Sequence, residues 1–242
     1  MNNNVYNSFK DVFGKKSEKI GLETEVKVSA GPLEVKDAIG TPNEEDYPLQ
    51  KGKEKLMEAV ILGSKGQAYT DTYGYFNGTL SDVLKLELKD NFERAVFIST
   101  LNALYRQSNE VENTLHCIDN GMKECGKEIA SYVKERFGSP NIWLVGLQPR
   151  LLENLSAHFK IRATDRDSDK IGSTVCGVKI EPDLMASEIC HWCDLVISTG
   201  TIFVNNTYED IIFCDKPLIL YGTTASGPAE VLGIERFCPR SR

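Results

Sequence analysis

Hydrophobic and polar positions change rhythm partway along the chain. Val5, Phe9 and Val12 recur at helical spacing over 4–13. Residues 22–30 (LETEVKVSA) alternate instead, as a strand does when one of its faces meets water. A turn-rich acidic loop is expected over 41–48, and further strands over 57–62 and 67–70. Thr79 or Ser81 is placed to cap a helix running to Leu88, and Asn91 to cap another running to Arg106. Strands first and helices after predict an antiparallel α+β unit ending near residue 108.

Beyond a polar linker over about 107–120, the rhythm alternates. Met122, Cys125, Ile129, Val133 and Phe137 form the stripe of an amphipathic helix over 121–137, stopped by Gly138-Ser139-Pro140. Strands are expected over 141–147, 160–164, 175–180, 194–198 and 217–221, with helices over 150–159 and 183–192. That order predicts βαβ units and a parallel sheet. The chain thus divides into a smaller α+β domain over 1–108 and a Rossmann-like α/β domain over 109–242.

The strands over 194–198 (DLVIS) and 217–221 (PLILY) run straight into loops of glycine and hydroxyl residues. One loop carries Thr199, Gly200, Thr201 and Asn205; the other carries Gly222 and Thr223. Open α/β sheets bind ligands at the carboxyl ends of their strands. The two loops are expected to open on the same side as the bend after Leu147, making one polar mouth that faces the first domain.

That bend begins like a dinucleotide fold, with Asp165 nineteen positions after Gly146, near the spacing of a ribose-binding carboxylate. The turn itself reads Gly146-Leu147-Gln148-Pro149-Arg150, without the glycines that admit a pyrophosphate, and Pro149 lacks an N–H. A nucleotide or S-adenosylmethionine site therefore stands as the alternative reading, against an Asp165 that only ends a strand and caps a turn. Arg150 sits at the helix end where a cation is disfavoured, which fits either an anionic ligand or a solvated side chain.

Composition narrows the class. The 242 residues are 41% hydrophobic and 26% charged, as in an ordinary soluble globular chain. The net charge of −7 argues against a nucleic-acid coat. No apolar run reaches the length of a membrane span and no signal-like segment opens the sequence, so a cytoplasmic protein without a membrane partner is expected. Seven cysteines at irregular spacing point to reduced thiols rather than a disulfide framework.

Metal chemistry has several candidates. His116-Cys117-Ile118-Asp119 sets an imidazole, a thiol and a carboxylate in the linker, and His with Cys suits zinc, nickel, cobalt or copper; the bland alternative is a polar linker with a half-buried thiol. Cys125 falls on the apolar stripe and reads as core. Cys190 and Cys193 form a CxxC at the wrong end of a helix for a reactive thiolate, and no second pair completes a zinc site. Residues 165–169 (DRDSD) imitate a calcium loop but lack its glycine and terminal glutamate. Asp71, among Tyr69, Thr70, Thr72 and Tyr73, suits a ligand rim or a surface turn. Asn102 shares a helical face with Phe92, Ala95 and Ser99, where a buried amide needs partners.

Several of these stretches resemble a known family. They are 66–71 (GQAYTD), 76–80 (FNGTL), 94–102 (RAVFISTLN), 145–150 (VGLQPR), Ser198-Thr199-Gly200-Thr201 with Val204-Asn205, and Tyr221-Gly222. Together they resemble the bacterial and archaeal family described as "putative heavy-metal chelation", domain of unknown function 364. Asn206 stands where that pattern expects glycine. The resemblance implies a domain similar to the enolase N-terminal domain joined to an atypical Rossmann-like domain, with the site in the cleft between them. On this reading the cleft takes a metal ion or a metal-bearing small molecule. Gly146, Gln148, Arg150, Thr199, Gly200, Thr201, Asn205, Gly222 and Thr223 would hold a polar or anionic ligand, and Asp71, Asp165, His116 and Cys117 would supply acidic or soft ligands. Whether the chain is an enzyme, and whether it forms a homo-oligomer, stay open.

Overall fold

A computed structural model describes residues 5–29 and 54–242. The loop expected over 41–48, and the last residue of the strand expected over 22–30, lie outside these residues. Helix α1 (Val5–Ile20) outruns the expected 4–13 because Phe13 and Ser17 extend the buried face begun by Val5, Tyr6 and Phe9. Strands β1 (Glu25–Ser29), β2 (Lys55–Ile61), β3 (Ser64–Thr70) and β4 (Phe76–Thr79) form an antiparallel sheet in the order β3-β2-β1-β4. Helix α2 (Leu80–Leu84) starts on a capping box: Asp82 N–H donates to Thr79 Oγ1 (3.2 Å) and Thr79 N–H to Asp82 Oδ2 (2.9 Å). Helix α3 (Asn91–Gln107) is capped by Asp90 rather than Asn91 and is buried continuously from Arg94 to Tyr105.

Helix α4 (Gly121–Phe137) spans the range that its stripe predicts. There follow β5 (Asn141–Val145), α5 (Pro149–Ser156), β6 (Lys160–Asp165), β7 (Thr174–Val175), β8 (Val178–Pro182) and α6 (Ala186–Trp192). The chain continues through β9 (Leu195–Thr199), α7 (Glu209–Ile212), β10 (Leu218–Tyr221), α8 (Ser226–Leu232) and β11 (Glu235–Phe237). These strands make a seven-stranded sheet in the order β11-β10-β9-β5-β6-β8-β7, parallel except for the β7–β8 hairpin. The chain is therefore a mixed α/β fold with a largely parallel sheet and a second, antiparallel one.

The central strands are buried on both faces, which is why they read as unbroken apolar runs. Ile142, Leu144, Ile197 and Ile219 face a core under α4 and α5. Trp143, Val196 and Leu220 face the opposite core, which runs on without a break through α3 to Val26 and Met57 of the antiparallel sheet. Each such side chain contributes about 1.5–3 kcal/mol over an exposed one. Helix α1 seals this joint, with Phe9 edge-on to Phe203 (5.4 Å between ring centres) and the Tyr6 hydroxyl donating to Phe203 O (2.5 Å).

The expectation of fully reduced thiols does not hold: Cys190 is disulfide-bonded to Cys214 (2.11 Å). The CxxC spacing drew attention to Cys193, but the partner comes from the segment after α7, which folds back beside α6 and brings the two Cα atoms to 5.7 Å. Cys193 is a buried free thiol and His191 is exposed. Among the described residues no helix is long and apolar enough to cross a membrane.

Candidate functional site

The order of the parallel sheet places its switch point between β5 and β9: the chain runs from β5 toward β6 and β8 on one side, then returns to build β9, β10 and β11 on the other. Ligands of open α/β sheets bind in the crevice at such a point. A cavity of about 140 Å³ lies there, between the carboxyl ends of the strands and the antiparallel sheet. Its wall includes Gly146, Leu147 and Gln148 after β5, Thr199 and Thr201 around the end of β9, Gly222 after β10, and Tyr69 on β3. The loops after β5, β9 and β10 thus share one mouth facing the antiparallel sheet, as their sequences suggest. A wider cleft of about 730 Å³ adjoins it, sharing Glu54, Gly146, Asp165, Lys170, Thr199 and Thr201 and adding Asp71 and Asn205.

Close backbone approach shapes the mouth. Gly146 has φ +83°, and a Cβ there would stand 2.7 Å from Thr199 Cγ2. At Gly200 a Cβ would stand 2.3 Å from Ala225 N, so only glycine lets the β9 loop rest on the β10 loop. Asn206 adopts φ +56°, a left-handed conformation that glycine takes freely and that asparagine tolerates better than most residues.

Asn102 knits the loops to the other sheet. Its side-chain amide donates to Gln67 O (2.8 Å) and Thr223 O (3.0 Å), and its carbonyl accepts from Gly227 N–H (2.6 Å). It is fully buried, so its role is positional. Tyr69 N–H adds a bond to Thr224 Oγ1 (3.0 Å).

The 113–117 segment is held over the cavity from two sides. Leu115 and Arg242 pair backbone to backbone (2.7 and 2.9 Å), and His116 N–H donates to Gln67 Oε1 (2.7 Å). His116 Nδ1 lies 2.6 Å from Cys117 O, so that nitrogen carries the proton and Nε2 keeps the ring's lone pair. Burial lowers the His116 pKa to about 4, against the raising effect of that carbonyl, and Arg242 lowers it further. The imidazole is therefore neutral at pH 7, the form that binds metals.

Cys125 corrects the core reading of the stripe. The inward position next to it is taken by Gly126, where a Cβ would meet Arg150 O at 2.5 Å, and Cys125 turns to the cavity wall, half-buried. There its thiol interacts with that of Cys117, which lowers the Cys125 pKa against the effect of burial, helped by the Arg240 backbone; the same interaction and burial raise that of Cys117.

Asp165 lines both spaces, but its carboxylate is already engaged by Leu147 N–H (2.7 Å) and Asp167 N–H (2.8 Å). The next turn repeats the device, with Asp169 N–H on Asp167 Oδ1 (3.1 Å), so the DRDSD run is a chain of Asx turns. Arg150 pairs with Glu153 (2.8 Å) and is absent from both walls. Gly200 and Thr223 also lie behind them, fully buried. Asp71 accepts from Asn91 Nδ2 (2.7 Å) on the outer rim.

Four wall residues carry no signal in the sequence. Glu54 precedes β2; burial raises its pKa, Lys170 opposes this, and Asp165, Asp71 and Asp167 reinforce it. Lys170 comes from the turn after the DRDSD run, and Cys238 and Phe237 follow from β11. Tyr221 is visible in the family pattern but not as a wall residue. Its hydroxyl donates to Gly146 O (2.8 Å), and burial pushes its pKa well above the usual value, with Asp165 and Glu54 acting the same way.

Comparison with known proteins agrees with the fold. Residues 132–233 match the family model described as "Putative heavy-metal chelation". A protein of unknown function from Pyrococcus horikoshii, of domain-of-unknown-function family 364, superposes with a TM-score of 0.59 at 14% identity, over 95% of this chain and 82% of that one. A second, from Desulfitobacterium hafniense DCB-2, does so with a TM-score of 0.59 at 11% identity, over 95% and 84%. At such identity the likeness establishes the fold alone. No curated protein matches the sequence. Residues 132–233 hold the central strands of the parallel sheet and the three loops at its mouth, and it is this part of the chain that matches the "Putative heavy-metal chelation" family.

Proposed function

We propose that the protein binds a metal ion or a metal-bearing small molecule in the cleft between its two sheets. The family description points to metal chemistry. The observation that carries the location is the wall itself: His116, Cys117 and Asp165 stand on one cavity with the hydroxyls of Thr199, Thr201 and Thr224. A neutral imidazole and a thiol suit a transition metal, and the hydroxyls suit an oxygen-rich companion molecule.

The nucleotide alternative gains no support from the β5–α5 turn. A pyrophosphate there needs free N–H groups. Gly146 N–H donates to Thr164 O (2.8 Å), Leu147 N–H to Asp165, and Leu151 N–H to Gln148 Oε1 (2.6 Å). Pro149 has none.

Thermal unfolding of the chelator-treated protein tests the reading. Cadmium(II) at about 100 times its dissociation constant adds about 2.7 kcal/mol of stability, and the melting temperature rises accordingly. NAD, NADP, ATP and S-adenosylmethionine are expected to leave it unchanged. A shift with any of these in metal-free protein, and none with cadmium, reverses the assignment.

A further inference from the structure

The closed end of the cavity is lined with sulfur. Cys117, Met122, Cys125 and Cys238 all stand on its wall, and none of them reaches the wider cleft. They converge from three places: the strapped 113–117 segment, the first turns of α4, and the residue after β11. Leu147, Leu151 and Phe237 share that wall, and so do the polar side chains of Tyr69, His116, Gln148, Tyr221 and Thr224. The charged residues Glu54, Asp165 and Lys170 belong to both spaces and so mark the open end. The three thiols are free, and Cys117 Sγ lies against the first turn of α4, where a Cβ on Gly121 would stand 3.5 Å from it, one turn before Cys125 on the same helix.

A hard divalent ion keeps its waters and seeks oxygen, which these four sulfurs do not offer. Thiolate and thioether sulfur select soft ions instead. Among the described residues no three His, Cys, Asp or Glu side chains are gathered to hold an ion, so a site built from these groups starts from two donors. Two thiolates suffice for a soft ion of low coordination number.

We infer that Cys117 and Cys125 form a two-thiolate clamp for a soft monovalent cation of the copper(I) and silver(I) class, with Met122 and Cys238 as flanking sulfurs. The inference rests on the proposed metal-binding reading and narrows its cation class. Binding replaces S–H bonds with S–metal bonds and releases the thiol protons to solvent; no electron is transferred.

Silver(I) is the probe, since it does not change oxidation state. The protein, with its Cys190–Cys214 disulfide intact, is titrated with silver(I) and followed by thiolate-to-metal absorbance and by native mass. One tight equivalent is expected. Cys117→Ser and Cys125→Ser should each weaken it by more than about 100-fold, beyond what outer-shell changes cost. Cys176→Ser, at an exposed position outside the cavity, should leave it intact. Alkylation mapping of the unmutated protein gives the same answer without relying on a variant's folding: silver(I) should protect Cys117 and Cys125 while Cys176 still reacts. A tight equivalent that survives both serine variants, or protection confined to other cysteines, overturns the clamp. If cadmium(II) stabilises the protein while silver(I) fails these tests, only the clamp falls; if neither ion binds, the metal reading falls with it.

Discussion

His116 is neutral at physiological pH because burial outweighs the carbonyl that holds its Nδ1 proton. Its pKa is lowered from 6.5 to about 4, so the unfolded chain takes up a proton first as pH falls. The native state is then favoured fully above about pH 6.5 and loses that advantage down to about pH 4, about 3 kcal/mol. Urea unfolding of metal-free protein should show this: between pH 7 and pH 4.5, His116→Gln loses less stability than the unmutated chain. Equal losses would mean that His116 is not held neutral. The His116–Cys117 pair was legible because two chemically distinctive residues adjoin in sequence. Its partner Cys125 was not, since the helical stripe assigns it to the core; only the close packing at Gly126 turns it to the cavity. Asp165 was legible as a strand-end acid, but its choice of backbone N–H partners depends on how the next two turns fold.

Among the elements, long periodic segments were readable and short ones were not. Helix α4 and strands β5, β9 and β10 follow from their apolar rhythm. Helix α8 was hidden by Gly227 and Pro228, which locally read as loop. Pro228 is tolerated because it sits in the first turn, where its missing N–H has no helical partner to lose. Gly227 lets α8 touch α3, since a Cβ there would stand 2.9 Å from Leu101 Cγ. Strand β11 has three residues and no alternation, and only its pairing with β10 makes it a strand. The contact between α3 and the β10 loop depends on Asn102. Asn102→Ala removes its bonds to Gln67, Thr223 and Gly227 and strips Gln67 O and Gly227 N–H of their side-chain partner in the core, while Thr223 O keeps its bond from Ser226 Oγ (2.7 Å). Chemical denaturation should register a loss of about 2–4 kcal/mol. A loss below about 0.5 kcal/mol, the scale of an ordinary surface change, would show that this amide does not hold the two sheets together.

At the scale of the whole molecule, the cavity exists because two sheets of different kinds share one core. The unbroken apolar joint through α3 brings the β3 edge against the carboxyl ends of β5, β9 and β10. The 113–117 segment, tied by its backbone to Arg242, brings His116 and Cys117 over the same point. The sequence announced the parallel-sheet half through its loops. It could not announce Glu54, Lys170 or Cys238, which reach the wall from segments whose local pattern is plain. The most direct measurement is anomalous diffraction from crystals of the reduced protein soaked in cadmium(II). The account predicts a strong peak inside the cavity, beside His116 and Cys117. Peaks confined to the exposed Cys176 or to surface carboxylates, with that cavity unoccupied, would contradict it.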